Sequence, residues 1–408
     1  MKIITALLVL ALAALTGHCE QLSSSNAVEM NALKKALVDA HTAYYSTNDE
    51  SLRLYYVWRH LEETNLPQML LLAQIEPESQ PACDVFLWIA LNGGANRGPI
   101  FTNQIESLDC LTKYHSTNST VGPLCSYLGR YWSWQWREKS VVDFLKSVVH
   151  NNPDRAIRAQ AIYALGCLDA NKSEQLAIFE NWGKAPFYAK GFTTNDLVQM
   201  PTFGNSQQAT ADAEREFKEV ITNYSDCLDL RELRSPKEEV PHLKELAEQN
   251  LFALEHLSLG KTAPEIEAEG VDGKKFKLSD SREKICVLSF WASWCGPCMQ
   301  MVPVERALDQ RMQGKSFAMI GVNGDPTLRD ANRAMEREKM TWPSFWNGKE
   351  GPSGPISKAW NVHGWPTIFV LDAKGIIRFK YEGYGNESSN VLNGCVDELM
   401  KNLPAKNP

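Results

Sequence analysis

The chain has 408 residues, which is too long for one ordinary hydrophobic core, so two or more domains are expected. Its hydrophobic content of 44% and charged content of 22% are normal for a soluble globular protein. A net charge of −7 argues against a general nucleic-acid binder, and we predict no nucleic-acid partner.

The N-terminus has the pattern of a secretory signal. Lys2 precedes a short apolar run over residues 3–15, and small residues follow it. We therefore predict a signal peptide over residues 1–19 and export to the periplasm or cell envelope. The alternative is an ordinary first helix of the mature fold. Cys19 would allow a lipid anchor, but His18 is a poor fit to the small residue that lipidation signals need, so no anchor is predicted.

Residues 20–258 are predicted to form an all-helical domain, because apolar residues recur at helical spacing and strand-like alternation is scarce. Successive helices near residues 139–182 suggest a repeat of helical hairpins. The predicted helices cover residues 27–45, 83–91, 141–149, 154–168, 173–182, 209–228 and 239–257.

The pattern changes near Gly260, where short strands and turn residues begin. The sequence of residues 271–274 predicts a hairpin turn. Strands are predicted at 287–291, 317–322, 367–371 and 376–381, and helices at 298–312, 327–339 and 391–403. A βαβ unit, a hairpin and a closing helix predict an α/β domain over residues 259–408, with a central mixed sheet and helices on both faces. The predicted fold class is thus α + α/β.

Directly after the first buried strand, the chain reads Trp294-Cys295-Gly296-Pro297-Cys298. Two cysteines at this spacing, between a strand and a helix, can close a disulfide and open it again. The unpaired N–H groups and the dipole at the start of the helix favour the thiolate of Cys295, which is the nucleophile. Pro297 is tolerated in the first turn, because its missing N–H would have no helical partner there. Cys298 lies about one turn inside the helix and resolves the mixed disulfide. This covalent step needs no cofactor.

A zinc site and a purely structural disulfide are the alternatives for this cysteine pair. A structural zinc site usually needs a second pair of ligands at close spacing, but Cys286, Cys395 and His363 stand alone, so no metal is predicted. Five cysteines lie between residues 83 and 227, an odd number, and most of them are interpreted as small buried apolar side chains.

A second motif, Gly364-Trp365-Pro366-Thr367, precedes the strand at 367–371. With the segments 263–265, 278–280, 290–298 and 321–323, it resembles the thioredoxin superfamily. The closest likeness is to the exported TlpA/ResA-type thiol–disulfide oxidoreductases of the redoxin group, over residues 259–403. The resemblance implies a thioredoxin-like fold for residues 259–408.

The same resemblance implies roles for individual residues. Pro366 matches a cis-proline that packs against the active disulfide, a costly isomer that needs a structural reason. The backbone of Trp365 can then pair with an extended substrate chain. Trp294 shields the nucleophile, and Trp365 either walls the substrate groove or simply packs.

Two departures from the family concern proton transfer to Cys298. Thioredoxins carry a buried acid six residues before the first cysteine, where this chain has Ser289. The TlpA/ResA relatives often carry a glutamate three residues after the second cysteine, where this chain has Met301. Glu305, one turn further on, is a weak substitute candidate because surface glutamates are usually only solvated, and water is the other candidate.

Reduction of disulfides in exported proteins is the first functional hypothesis, since Gly296 and Pro297 match the reducing members of the superfamily. Such a reductase needs a thiol electron donor, which could be membrane-bound, because exported compartments are oxidising. The second hypothesis is an antioxidant thiol peroxidase, although this chain has Ala292 where peroxiredoxins have Thr or Ser. In the third hypothesis, the helical domain of residues 20–258 is an interaction module, and the redox domain is accessory to it.

Overall fold

The structure is a computed structural model that describes residues 28–36, 38–39, 64–92, 99–130, 139–185, 200–231, 239–385 and 388–403. The predicted signal peptide, including Cys19, lies outside the described residues. Two compact units are present. The first combines Met1–Leu168 with Glu219–Lys244, and the second combines Asp169–Lys218 with Glu245–Pro408. A domain boundary at residue 258 stays a prediction.

Helices dominate the chain before residue 258, as predicted. They include α1 Gln80–Asn92, α2 Pro99–Cys110, α3 Gly122–Arg130, α4 Lys139–Asn151, α5 Arg155–Trp182, α6 Ser206–Asn223 and α7 Leu243–His256. The buried positions of α4 show why such segments form: Val141, Phe144, Leu145 and Val148 lie on one face at the spacing of an amphipathic helix. None of the described helices combines the length and apolar character needed to cross a membrane.

One prediction in this half was wrong. The helices predicted at 154–168 and 173–182 are a single helix of 28 residues, α5. Three of the four residues 169–172 are polar, which suggested a break, but none of the four is Gly or Pro, so the backbone hydrogen bonds continue through them. At the other end, the Asp154 carboxylate caps the helix by accepting the Ala156 N–H at 2.7 Å.

The chain after residue 258 forms the predicted mixed sheet. A hairpin of β1 Glu267–Glu269 and β2 Lys275–Lys277 precedes it, with Gly273 at a φ of 80° in the turn. The five-stranded sheet has the order β5-β4-β3-β6-β7, in which β3 runs parallel to β4 and antiparallel to β6. The other elements are β3 Ile285–Trp291, α8 Gly296–Met312, β4 Phe317–Asn323, α9 Leu328–Glu338, β5 Ser344–Trp346, α10 Pro355–Ala359, β6 Thr367–Leu371, β7 Ile377–Glu382 and α11 Ser388–Lys401.

The central strand β3 is buried along its whole length and has a hydrophobic core on each face. Val287 and Trp291 pack in the cluster that also contains both cysteines of the CxxC motif. Leu288 and Phe290 pack in the opposite cluster. Burying each such side chain contributes about 1.5–3 kcal/mol, so β3 is a rigid base for the turn that follows it.

Outside the CxxC motif, every cysteine in the described part of the chain is a free thiol. Burial raises the pKa of Cys83 and of Cys286 to about 11, which makes these thiols unreactive near neutral pH. The interpretation of these cysteines as mostly small buried side chains is confirmed. The buried ones are Cys83, Cys125, Cys227, Cys286 and Cys395, while Cys110 and Cys167 are half-buried.

Candidate active site

Cys295 and Cys298 are joined by a disulfide at the point where β3 gives way to α8. The S–S distance is 2.05 Å and the two Cα atoms are 5.2 Å apart. Cys295 is the N-cap residue of α8, and its sulfur accepts the backbone N–H of Cys298 at 3.1 Å. After reduction, the same N–H and the helix dipole stabilise a thiolate on Cys295.

The two cysteines differ in burial and in contact with the groove. Cys295 is 5% exposed and lines a groove of about 760 Å³, whereas Cys298 is 1% exposed. Gly296 and Pro297 also line this groove, with Pro297 in the first turn of α8. A methyl group on Gly296 would meet no atom within 4 Å, so the fold gives no steric reason for glycine at this position.

Two tryptophans flank the groove beside Cys295. Trp294 is 53% exposed, and its ring centroid lies 6.2 Å from that of the half-buried Trp365. The Trp365 ring packs over Gly324, where an added methyl would come within 2.7 Å of it. Trp365 therefore both lines the groove and packs against the neighbouring loop, so the two interpretations of this residue are compatible.

The Trp365–Pro366 peptide bond is cis. The Pro366 carbonyl accepts the Gly383 N–H at 2.8 Å, which holds this loop against the end of β7. By contrast, neither the N–H nor the C=O of Trp365 has a hydrogen-bond partner among the residues that the structure describes. These two groups remain available to an extended chain in the groove.

The remaining wall of the groove comes from segments that the sequence did not point to. Gln249 of α7 contributes, although it precedes the sheet by some distance in sequence. Pro352, Lys358 and His363, between β5 and β6, complete the wall. Lys358 and His363 lie at its exposed side, so the groove has a positive edge when His363 is protonated.

Asn347 holds the loop that carries this wall. Its amide N–H groups donate to the Gly351 carbonyl at 2.6 Å and to the Ser357 hydroxyl at 2.7 Å. Its carbonyl oxygen accepts the N–H groups of Ile356 and Ser357, both at 3.0 Å. A fully bonded buried amide of this kind fixes the loop conformation.

Asp325 is a second buried polar residue that sequence reasoning missed. It is 1% exposed and accepts hydrogen bonds from the Ser293 hydroxyl at 2.6 Å and from the Asn323 amide at 2.7 Å. The Ser293 backbone N–H also points at its two oxygens. Asp325 therefore orients the turn that leads into Cys295. A carboxylate three residues after the end of the strand predicted at 317–322 was the available signal.

Replacing Asp325 with alanine is expected to lower the free energy of unfolding by about 2 kcal/mol, because the buried Asn323 amide and the two half-buried donors of Ser293 lose their acceptor. Denaturant unfolding measures the loss. Asp309→Ala is the matched control, since among the described residues Asp309 accepts a single, exposed hydrogen bond, from the Thr341 hydroxyl at 3.3 Å. Equal stability of the two variants would contradict the orienting role of Asp325.

Glu305 is not the surface glutamate that the sequence suggested. It is 1% exposed on α8, and it accepts a hydrogen bond from the Ser289 hydroxyl of β3 at 2.5 Å. Burial raises the pKa of Glu305 to about 7, and the Ser289 hydrogen bond opposes that rise. Three positions were considered for proton transfer to Cys298: Ser289, Met301 and Glu305. The structure joins Ser289 and Glu305 by a hydrogen bond, and Met301 is a buried core residue.

Metal ligands do not gather around the cysteine pair. Within the described ranges, no group of three or more His, Cys, Asp or Glu side chains is close enough to hold a metal ion. The chemistry available from these residues is thiol–disulfide exchange: Cys295 lines the groove, and its partner Cys298 is more deeply buried.

Comparison with known proteins agrees with this geometry. The AhpC/TSA family model matches residues 259–380. The thioredoxin-like protein YneN of Bacillus subtilis is 30% identical over 122 residues, which are 29% of this chain and 68% of YneN. The thiol-disulfide oxidoreductase ResA of Geobacillus thermodenitrificans is 28% identical over 123 residues, or 30% of this chain and 68% of ResA.

Among solved structures, a thiol:disulfide interchange protein DsbE from Chlorobium tepidum aligns with 35% of this chain and 98% of its own length. The identity is 27% and the TM-score is 0.33. The family rests on the sequence matches to residues 259–380 and on YneN. Residues 259–380 thus form an AhpC/TSA domain, and the chain belongs to the thioredoxin-like thiol–disulfide oxidoreductases.

Proposed function

We propose that this protein is an exported oxidoreductase that reduces disulfides in other proteins through Cys295 and Cys298. The observation that carries the proposal is their disulfide at the wall of a groove, with Cys295 lining the groove and Cys298 behind it. In the reduced enzyme, the Cys295 thiolate attacks a substrate disulfide and forms a mixed disulfide. Cys298 then attacks Cys295, which releases the substrate as a dithiol.

The groove supports a protein as the substrate. Its volume of about 760 Å³ and its two tryptophans suit a polypeptide segment better than a small ion. The free N–H and C=O of Trp365 can pair with the backbone of an extended segment, in the manner of strand addition. Backbone pairing holds the segment in place with little dependence on its sequence, as a general reductase requires.

Location and electron supply are proposed from the sequence. The signal pattern of residues 1–19 supports export to the periplasm or cell envelope, which are oxidising compartments. Each turnover leaves the Cys295–Cys298 pair oxidised, so a thiol donor must return two electrons. We propose a membrane-bound thiol carrier as this donor.

The redox potential tests the direction of the reaction. We expect a value closer to that of thioredoxin, about −270 mV, than to that of DsbA, about −120 mV, because Gly296 and Pro297 match the reducing members. Equilibration of the purified protein with glutathione or dithiothreitol buffers measures it, and insulin reduction measures the activity. A potential near that of DsbA would make the protein an oxidant. Fast peroxide consumption by the reduced protein would favour a peroxidase.

A further inference from the structure

A second cavity, of about 390 Å³, adjoins the groove of Cys295. Among the described residues, its lining consists of Glu245, Glu248, Gln249, Phe252, Lys358 and Ala359. Gln249 and Lys358 also line the groove, so the groove continues past these two residues into the second cavity. The exchange reaction described above uses no side chain of this cavity.

One face of α7 forms most of the wall of the second cavity. Glu245, Gln249 and Phe252 are exposed and follow one another at intervals of four and three residues, which places them on one side of the helix. Ala247 and Leu254, on another side of α7, are buried. The apolar side of α7 is thus covered by the protein, and the side that lines the cavity is left to solvent.

The helix α7 is attached to the sheet of the redox domain. Leu257, the residue after α7, belongs to the core cluster that contains Leu288 of β3. The Asn361 amide, in the segment before β6, donates to the Asn250 side chain at 3.4 Å. From Glu245 onward, α7 also belongs to the same compact unit as the sheet. The wall of the second cavity is therefore in place before a substrate binds, which lowers the cost of binding.

The lining of the second cavity is complementary to a basic side chain. It offers the carboxylates of Glu245 and Glu248, and Lys358, at the junction with the groove, is the one cation among its described residues. Phe252 is 42% exposed and presents an aromatic surface on which an arginine or lysine side chain can pack. An acidic side chain would be repelled by the two carboxylates, and an apolar one would gain only the contact with Phe252.

We infer that the second cavity is a substrate subsite, which takes an arginine or lysine side chain from the segment that flanks the target cysteine. This inference rests on the proposed function and names its substrate class: oxidised proteins with a basic residue a few positions from the cysteine. The segment pairs with the Trp365 backbone in the groove and continues past Gln249 along α7. Glu245 lies four residues from Gln249, or about 6 Å along the helix, which corresponds to about two residues of an extended chain. Backbone pairing admits many segments, and the subsite ranks them by charge.

Single-turnover reduction of oxidised peptides by the reduced, full-length protein tests the inference. Each substrate is a pair of identical peptides joined by one disulfide, and quenched samples are analysed by chromatography. The series places Arg, Leu or Glu at one position at a time, up to about six residues on either side of the cysteine. In the wild type, we expect a position at which the Arg peptide reacts about fivefold faster than the Glu peptide, because an ion pair replaces a repulsion. The Leu peptide should lie between them.

Charge reversal gives the sharpest result. In Glu245→Lys, the preference at that position should reverse, so that the Glu peptide reacts faster than the Arg peptide. In Phe252→Ala, the rate for the Arg peptide should fall about threefold, because the aromatic contact is lost. Glu255→Lys is the matched control: Glu255 is exposed on the same helix and lines neither cavity, so this variant should keep the wild-type order of rates.

The outcomes separate the inference from the proposed function. Equal rates for the Arg and Glu peptides at every position in the wild type would overturn the inference alone, and so would a preference that Glu245→Lys leaves unchanged. Should Glu245→Lys fail to fold, a wild-type preference that high salt does not weaken would overturn it instead. If the wild type reduces neither the peptides nor hydroxyethyl disulfide, a small neutral substrate, the Cys295–Cys298 pair does not exchange and the proposed function is wrong.

Discussion

Replacing Cys295 with serine is expected to abolish insulin reduction. A serine hydroxyl is not ionised near neutral pH, and Cys298, at 1% exposure, cannot reach a substrate in the groove. The seven other free thiols in the described part of the chain are buried or half-buried and lie outside the groove lining, so they do not substitute. Cys110→Ser, at one of the half-buried thiols, should retain wild-type activity. Residual activity in Cys295→Ser would exclude it as the nucleophile.

Cys298→Ser should give a different phenotype from Cys295→Ser. Cys295 still attacks, but the mixed disulfide has no resolving thiol and accumulates. Non-reducing electrophoresis and mass spectrometry of such adducts would identify the proteins attached to Cys295. Adducts on Cys298 in the reciprocal Cys295→Ser variant would reverse the assigned roles, because Cys298 would then be the cysteine that attacks the substrate.

Replacing Glu305 with leucine is expected to stabilise the protein at alkaline pH. The pKa of Glu305 is raised from 4.5 in the unfolded chain to about 7 in the folded protein. The folded state therefore binds the proton more tightly, and its stability is lost as the pH rises through this window. The loss amounts to about 3 kcal/mol by pH 8, and Glu305→Leu should avoid it.

The measurement is the difference in unfolding free energy between Glu305→Leu and wild type as a function of pH. This difference should grow by about 3 kcal/mol in favour of the variant between pH 4.5 and pH 8. For the control Glu336→Gln, at an exposed position of α9, the difference in unfolding free energy from the wild type should not change with pH. A constant difference for Glu305→Leu would mean that the pKa of Glu305 is the same in the folded protein as in the unfolded chain, contrary to its burial.

Local sequence patterns determined the covalent chemistry. The CxxC motif, its place between a buried strand and a helix, and the mixed sheet around it depend on neighbours in the chain and on hydrophobic period. The same local reasoning misplaced a break inside α5, because a polar stretch without Gly or Pro does not by itself end a helix. Short elements such as β5, with three residues, have too few positions to show a period.

Tertiary structure alone decided how the cysteine pair is supported. Ser289 meets Glu305 across 16 residues, and Ser293 meets Asp325 across 32. Gln249 reaches the groove of Cys295 from a helix outside the matched family region. The sequence showed Glu305 as a helical glutamate like any other, because only the packing of α8 on β3 removes it from water. Burial is a property of the assembled core, and it is burial that brings the titration of this carboxyl into the neutral range.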